Sequence, residues 1–436
     1  MIYTKKIEKI SKFDVVIVGG GAAGIGAAIA AGRSGVKTAI IERFGFLGGM
    51  ATAGYVNPMS EFAYNGKRII GGIAWDFAQE MIKRNGAMVE VPRCNVSFNP
   101  EVYKLVAQKM IEKAGVQAFM NTNLIDCITE ENSIKSIIIN NKNGLQAIEA
   151  KYFIDATGDA DLAYFAGVEM LPQGETMQPG TLCFCLSGVD TTTERMHIIH
   201  QKNHRFNHQA GFIREVLFKL REEGVEVPLF GGPWLATTMD EGSITVNMTR
   251  APMNATDSVD YQKAECKMRE DVFKLVTLLK EHVPEFKNCT LASVATMAGI
   301  RESRRIKGVH VLTGLEYAEG YKFEDSIARA CHPIDIHLPG DEGQRLIFPK
   351  DAGYIPYRCL ITQNFENLLV AGRAISADIE AFAAIRVQAP CMETGQATGF
   401  AAALCCKSGN IPVQNINVED LTTRIWEEGS LQEFDV

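Results

Sequence analysis

The chain has 436 residues, 46% of them apolar and 22% charged, an ordinary globular composition long enough for two domains. A net charge of −8 with no basic block argues against nucleic acid or an anionic membrane as partner, and no apolar run is long enough to span a bilayer. The 11 cysteines include no CxxC pair, so the expectation is reduced thiols in a cytoplasmic protein, with no metal centre and no iron–sulfur cluster.

The first organised stretch is Asp14–Glu42. The short N-terminal segment leads straight into it, so a cleavable leader is not expected. Val15–Val18 is a β-branched apolar run that suits a buried parallel strand. Gly19-x-Gly21-x-x-Gly24 follows at once. The first glycine permits a tight turn, the second lets the backbone approach a pyrophosphate, and the third lets helix pack on strand. The helix N-terminus then offers free N–H groups and a positive dipole end to phosphate. Val36–Ile41 is the second strand, and Glu42 closes it. A carboxylate there accepts the ribose hydroxyls of an adenosine and repels a 2′-phosphate. The stretch therefore predicts a dinucleotide site that disfavours NADP.

Arg43 opens a small-residue loop that contains Gly48-Gly49-Met50, flat enough to lie against a ligand. Gly71–Arg84 reads as an amphipathic helix. A second helix has Asn99 as N-cap, Pro100 at its first position and Gly115 as its stop. Val116–Met120 is the third strand of a doubly wound sheet. Leu124–Thr129, Ile134–Ile139 and Leu145–Ala150 form a small antiparallel meander. A separate strand, Tyr152–Asp155, ends in a small-residue turn that leads into a helix. After about Gly180 the composition shifts. Strands are expected at Thr181–Val189, Ile244–Thr249, Leu291–Met297 and Val309–Leu312, with helices over Thr193–Gly224 and Ser258–His282. Asn367–Arg373 is a buried strand ending in glycine, and Gln388–Lys407 is a small-residue helix containing Gly395 and Gly399. The fold class is α/β. A Rossmann-like domain, with a doubly wound parallel sheet and small antiparallel meander, covers 1–180 and 365–436. An inserted α+β substrate or cap domain covers 181–364.

Several separated motifs then carry a resemblance: GGGAAGIGAA with Glu42, GFLGGMAT, IDATGDADLA, RESRRI, PIDIH, IPYRCL, and LLVAGRAISAD continuing into IRVQAPCMETGQATGFAAA. With these the chain resembles the two-dinucleotide-binding-fold flavoproteins. More narrowly it is similar to FAD-dependent oxidoreductases akin to heterodisulfide reductase flavin subunits and succinate dehydrogenase or fumarate reductase flavoproteins. The resemblance implies FAD as cofactor. It places Gly19, Gly21, Ala22, Ala23 and Gly24 at the pyrophosphate, Glu42 at the ribose with Arg43 beside it, and Gly48, Gly49 and Met50 beside the ribityl chain or ring. It puts Ala156, Thr157 and Gly158 near the adenosine half. Gly372 and Arg373 close over the cofactor, Asp378 meets the ribityl hydroxyls, and the helix containing Gly395 points its N-terminus at the flavin. Met50, in place of a histidine beside the glycine pair, implies noncovalent FAD. The chain departs from the heterodisulfide reductase branch in lacking clustered cysteines, and from the disulfide reductases in having one complete GxGxxG.

The candidates for chemistry lie later. One arginine of Arg301, Arg304 and Arg305 can grip a substrate carboxylate; Arg301 is the first candidate. In Cys331–His337, an extended backbone places Asp335 and His337 on one face, where an aspartate tunes a histidine acid/base near neutral pH; a structural, hydrogen-bonded histidine is the plain alternative. Tyr357 and Arg358 are expected to line the same site, and Arg386 to hold a substrate anion. His197, His200, His204 and His208 share one face of the expected helix, but Lys202, Arg205 and Asn207 nearby favour a solvated surface. Cys391 is the thiol nearest the flavin helix, with packing as its plain reading. The expected activity is hydride transfer between a small organic substrate and FAD. The alternative is an FAD-binding electron-transfer subunit that needs a redox partner protein; an NAD-binding dehydrogenase is a third, weaker reading. Oligomeric state is open.

Overall fold

The computed structural model describes residues 4, 6–174, 176–200, 203–206, 208–338 and 343–436. The first body is built on a seven-stranded mixed sheet. Strand β1 (Glu8–Val18) leads through helix α1 (Ala22–Arg33) to β2 (Thr38–Ile41). β1 and β2 run parallel, Val15 opposite Thr38 and Val18 opposite Ile41. Helices α2 (Gly72–Ile82) and α3 (Pro100–Lys113) follow, and β3 (Gln117–Phe119) extends the sheet parallel to β2. The Asn99 side chain caps α3 by accepting the Glu101 amide at 2.9 Å.

β4 (Asn123–Glu130) and β5 (Ser133–Asn141) are the first two strands of the expected meander. The third is not a separate element. β6 (Gly144–Asp155) is one continuous strand: it starts antiparallel to β5 and runs parallel to β1 through Val15–Tyr152 and Val18–Asp155. The expected break near Lys151 is absent because the buried end of β1, Val15–Val18, needs a hydrogen-bonding partner along its second edge, and the pairing runs on from Phe13–Ala150 to Val15–Tyr152.

The second body is a four-stranded antiparallel sheet: β7 (Phe184–Ser187), β8 (Phe230–Thr237), β9 (Ile244–Thr249) and β10 (Thr290–Val294), in the order β8-β9-β7-β10. Strand β8 was not legible, since Gly231, Gly232 and Pro233 interrupt it and its register shifts between Phe230 and Trp234. Helices Gly211–Glu222 and Ser258–His282 pack on this sheet, around a core that includes Phe184, Leu217, Phe230, Leu275 and Phe286. The second helix has the expected bounds. The first does not: His197–His200 and Asn203–Phe206 form a hairpin, with His197 opposite Phe206. The four histidines therefore share no helical face. The side chains of His200 and His204 lie outside the described residues. His197 Nε2 meets the Thr191 carbonyl at 2.8 Å, and His208 Nε2 meets the Glu90 carboxylate at 2.7 Å. Among the described residues, 309–312 form no strand, only a single bridge from Leu312 to Ala377.

Residues from Ile306 to Ile361 pack into the first body's core rather than the second's. Ile306 donates to the Ala374 carbonyl at 3.0 Å, and Val370 to the Leu360 carbonyl at 2.8 Å. A hairpin, β11 (Ile334–His337) with β12 (Gln344–Ile347), belongs to this stretch. The chain then supplies β13 (Leu368–Val370), parallel to β6, and helices α4 (Ile379–Ile385) and α5 (Gln388–Lys407). α5 crosses α1 backbone to backbone: a Cβ on Gly395 would stand 1.9 Å from the Ala23 oxygen, and one on Gly399 2.3 Å from the Ala27 oxygen. Among the described residues no helix is long and apolar enough to cross a membrane.

Candidate active site

A cleft of about 570 Å³ runs from the end of β2, past the N-terminus of α1, to the N-terminus of α5. The glycine loop forms its floor. Gly19 has φ +100, and a Cβ there would meet the Ala156 oxygen at 2.4 Å; a Cβ on Gly24 would meet the Gly19 oxygen at 1.8 Å. The chain's own packing demands both glycines. Gly21 differs: its nearest neighbour would be the Gly49 Cα at 3.8 Å, an ordinary contact, and its φ of −73 suits any residue. Its lack of a side chain keeps the cleft open rather than relieving the fold. Ala22 and Ala23 begin α1, whose first turn has no acidic residue and no side-chain cap, which leaves the N–H groups for an anion.

Glu42 stands beside this loop, 6% exposed. Its carboxylate accepts the amides of Gly20 at 2.6 Å and Phe44 at 2.9 Å. Burial raises its pKa against those two amides. Arg43 lies in the cleft wall, 5.0 Å from the centre of the Phe44 ring, with a guanidinium nitrogen 3.1 Å from the Met297 sulfur. The Gly48-Gly49 turn is fused to the loop. The Gly48 amide donates to the Gly20 oxygen at 2.8 Å, and a Cβ on Gly49 would stand 2.8 Å from the Gly21 Cα. Met50 lines the cleft next to it.

On the other side lies the turn after β6. Asp155, fully buried and pushed up to about 6 by burial, pins this turn by accepting the Thr157 amide and hydroxyl and the Ala163 amide. Ala156 and Gly158 thereby line the cleft. Arg373 ties the turn to the final strand, donating to Asp159 and to the Ser303 hydroxyl, both at 2.6 Å. Gly372 has φ +75, and a Cβ there would meet the Ala23 Cβ at 2.8 Å.

Four expected residues lie elsewhere. Asp378 caps α4, accepting the amides of Ala381 at 2.8 Å and Gly314 at 2.9 Å, and does not line the cleft. Gly395 serves the α1–α5 contact, while the N-terminal residues Val387 and Gln388 of that helix do face the cleft. Arg358 turns away to a bidentate pair with Asp325, at 3.0 and 3.1 Å. Tyr357 is buried with its hydroxyl on the Val413 carbonyl.

The far end of the cleft brings together Arg301, Arg386, Asp335 and His337. Arg301 donates through Nη1 to the Pro179 oxygen and the Thr181 hydroxyl, both at 2.8 Å. The other two arginines of that motif are structural: Arg304 pairs with Asp161 at 2.9 Å, and Arg305 donates to the Ala377 carbonyl at 3.2 Å. Arg386 donates to the Asp335 carbonyl at 2.9 Å. Burial lowers both guanidiniums to about 10, with neighbouring arginines adding to the effect, so both remain charged at neutral pH. Asp335 and His337 do share a face, Oδ2 to Nε2 at 2.9 Å. The histidine is not poised near neutrality, however. Burial, then the charge of Arg301, drives it down to about 3. Burial works to raise Asp335, but the hydrogen bond from His337 and the nearby Arg386 hold it below its ordinary value. Cys391 packs under this end with its thiol pushed up to about 12 by burial and directed at the Arg386 carbonyl; it is a filler, not a nucleophile.

Sequence reasoning missed Trp234, Asn247 and Arg250. Asn247 interrupts the apolar run of β9 and was the one available signal. Side-chain oxygens of four residues lining the cleft (Asn95, Asn247, Asp335 and Gln388) are shielded from solvent and have no hydrogen-bond partner among the described residues. Buried acceptors of this kind are rare unless a ligand completes them. The open backbone at Gly21, the uncapped α1 and these acceptors fit a long, phosphate-bridged ligand with donor groups.

The fold has a counterpart among solved structures. A geranylgeranyl bacteriochlorophyll reductase-like protein from Thermoplasma acidophilum is 14% identical, over 96% of this chain and 84% of that chain, with a TM-score of 0.51. A flavoprotein/dehydrogenase from Cytophaga hutchinsonii is also 14% identical, over 95% and 83%, with a TM-score of 0.47. The description "FAD dependent oxidoreductase" belongs to the family model that matches residues 14–425, so the chain belongs to that family and FAD is its cofactor.

Proposed function

We propose that the protein moves a hydride between a small organic anion and noncovalently held FAD. In this reading Glu42 takes the adenosine ribose, and Gly21 with the N-terminus of α1 takes the pyrophosphate. Gly48, Gly49 and Met50 flank the ribityl chain or flavin ring, and Arg373 with the Ala156–Gly158 turn closes the opposite wall. Bound FAD supplies the two-electron chemistry. The protein's share is to bind, orient and shield the substrate.

One observation carries the choice of an anion: Arg301 and Arg386 converge on one end of the cleft. Each keeps guanidinium N–H groups beyond those hydrogen-bonded to the protein. Two such cations beside Asp335 at that end of the cleft favour a negatively charged guest there.

The test is anaerobic bleaching of the visible flavin band by a panel of small carboxylates and neutral alcohols and amines. Bleaching by a small molecule alone, and its loss on Arg301→Met with FAD retained, is the expected result. Bleaching only by a redox protein favours an electron-transfer subunit instead.

A further inference from the structure

Three side chains from separate elements meet behind the substrate end of the cleft. Arg250 follows β9 and is 2% exposed. Its Nη2 donates to His337 Nδ1 at 2.8 Å. A guanidinium has no acceptor, so Nδ1 carries no hydrogen and the ring proton is on Nε2. That proton faces Asp335 Oδ2 at 2.9 Å. Trp234 packs edge-on to the imidazole, ring centres 5.4 Å apart. Gly231 leaves room for the guanidinium, since a Cβ there would stand 2.5 Å from Arg250 Nη2.

Both nitrogens of His337 are thus engaged, and neither is left for a substrate. What the relay presents is Asp335. One of its oxygens is held by the histidine. The other, Oδ1, is shielded from solvent and has no hydrogen-bond partner among the described residues. Arg386 sits against the same residue, donating to its carbonyl. A cation and an uncompleted carboxylate oxygen therefore lie within one residue's span. A guest that completes both must carry an anionic group for the guanidinium and, a bond or two away, an O–H or N–H for Oδ1.

We propose that Asp335 is the substrate-contacting group, that Arg250 is its positioning residue acting through His337, and that the site takes a small carboxylate with a hydroxyl or amine on the neighbouring carbon. The proposal rests on the reading of this cleft as the substrate site.

The test titrates the FAD-loaded protein anaerobically with lactate, alanine and propanoate, following the flavin spectrum. Lactate or alanine binds at least about tenfold more tightly than propanoate, as expected of a site built to hydrogen-bond a substrate O–H or N–H. Asp335→Ala abolishes that preference while propanoate still binds. Ring ¹⁵N spectra, with His337→Gln identifying the signal, show the hydrogen on Nε2. Arg250→Met mixes the tautomers and weakens the preference at unchanged FAD content, and Arg250→Lys restores part of both. Equal binding of the three acids, no binding of any at millimolar concentration, or a hydrogen on Nδ1 overturns the proposal. Flavin bleached by a neutral compound while these acids stay unbound overturns it and leaves hydride transfer standing. Selective lactate binding in a protein bleached only by a redox partner does the reverse.

Discussion

A Cβ on Gly24 would stand 1.8 Å from the carbonyl oxygen of Gly19, so the glycine loop closes on itself before any ligand arrives. Gly21, with 3.8 Å of clearance, lacks that constraint. Gly24→Ala forces backbone apart and costs about 3 kcal/mol or more, as overpacking against an unyielding neighbour does. Gly21→Ala costs about 1 kcal/mol as a weaker N-cap, yet FAD retention falls at least about tenfold, or about 1.4 kcal/mol. Thermal unfolding of the flavin-stripped variants, with flavin absorbance after dialysis, separates the two. Equal loss of stability in both would contradict the distinction.

Arg386 is expected to act on the substrate and not on the fold. Arg386→Lys keeps a charge but loses the planar fork. KM for the anionic substrate rises by about tenfold or more, the scale of one charge-assisted hydrogen bond, with flavin content unchanged. Steady-state kinetics with whichever acid bleaches the flavin checks this, and a KM within about twofold of the parent would remove Arg386 from the site.

Glu393, 1% exposed on α5, accepts the Arg329 amide at 3.0 Å and the Gly71 amide at 3.3 Å. Burial pushes its carboxyl from an ordinary 4.5 up to about 7. Between those values the unfolded chain has released a proton that the native state keeps. Stability therefore falls as pH rises through this window, by up to about 1.4 kcal/mol per pH unit, and levels off above it. Asp155 adds the same sign between 3.8 and about 6. Urea unfolding of Glu393→Gln between about pH 5 and about pH 7 shows a shallower fall than the parent; parallel curves would place the proton elsewhere.

Arg358→Ala is the control. The pair with Asp325 is half-open to solvent on the arginine side. Asp325 is buried and loses both bonds, so stability falls by about 1–3 kcal/mol, while kcat/KM stays within about twofold of the parent. A larger kinetic effect would mean that this surface communicates with the cleft.

The glycine loop, Glu42, Gly48-Gly49 and α5 were legible because each rests on local geometry: a turn that tolerates no Cβ, a strand end, a helix of small residues. The joining of two expected strands into β6 was not, since it depends on the open edge of β1. The strand alternation that set Asp335 beside His337 was likewise readable, but the chemistry of the pair was not. Arg250 reaches the imidazole from 87 positions away and, by fixing the ring's hydrogen, hands the substrate-facing place to the carboxylate. Arg358 and Asp378 failed as site residues because nearer partners, Asp325 and the Ala381 and Gly314 amides, claimed them.

By itself the sequence determined the dinucleotide-binding half, because phosphate recognition is a matter of backbone shape written in consecutive glycines. Only the tertiary structure decided which arginines enter the cleft and which side chain of the Asp335–His337 pair keeps an unpartnered atom. Burial and the charge of distant neighbours set those outcomes, and both exist only once the two bodies have closed on each other.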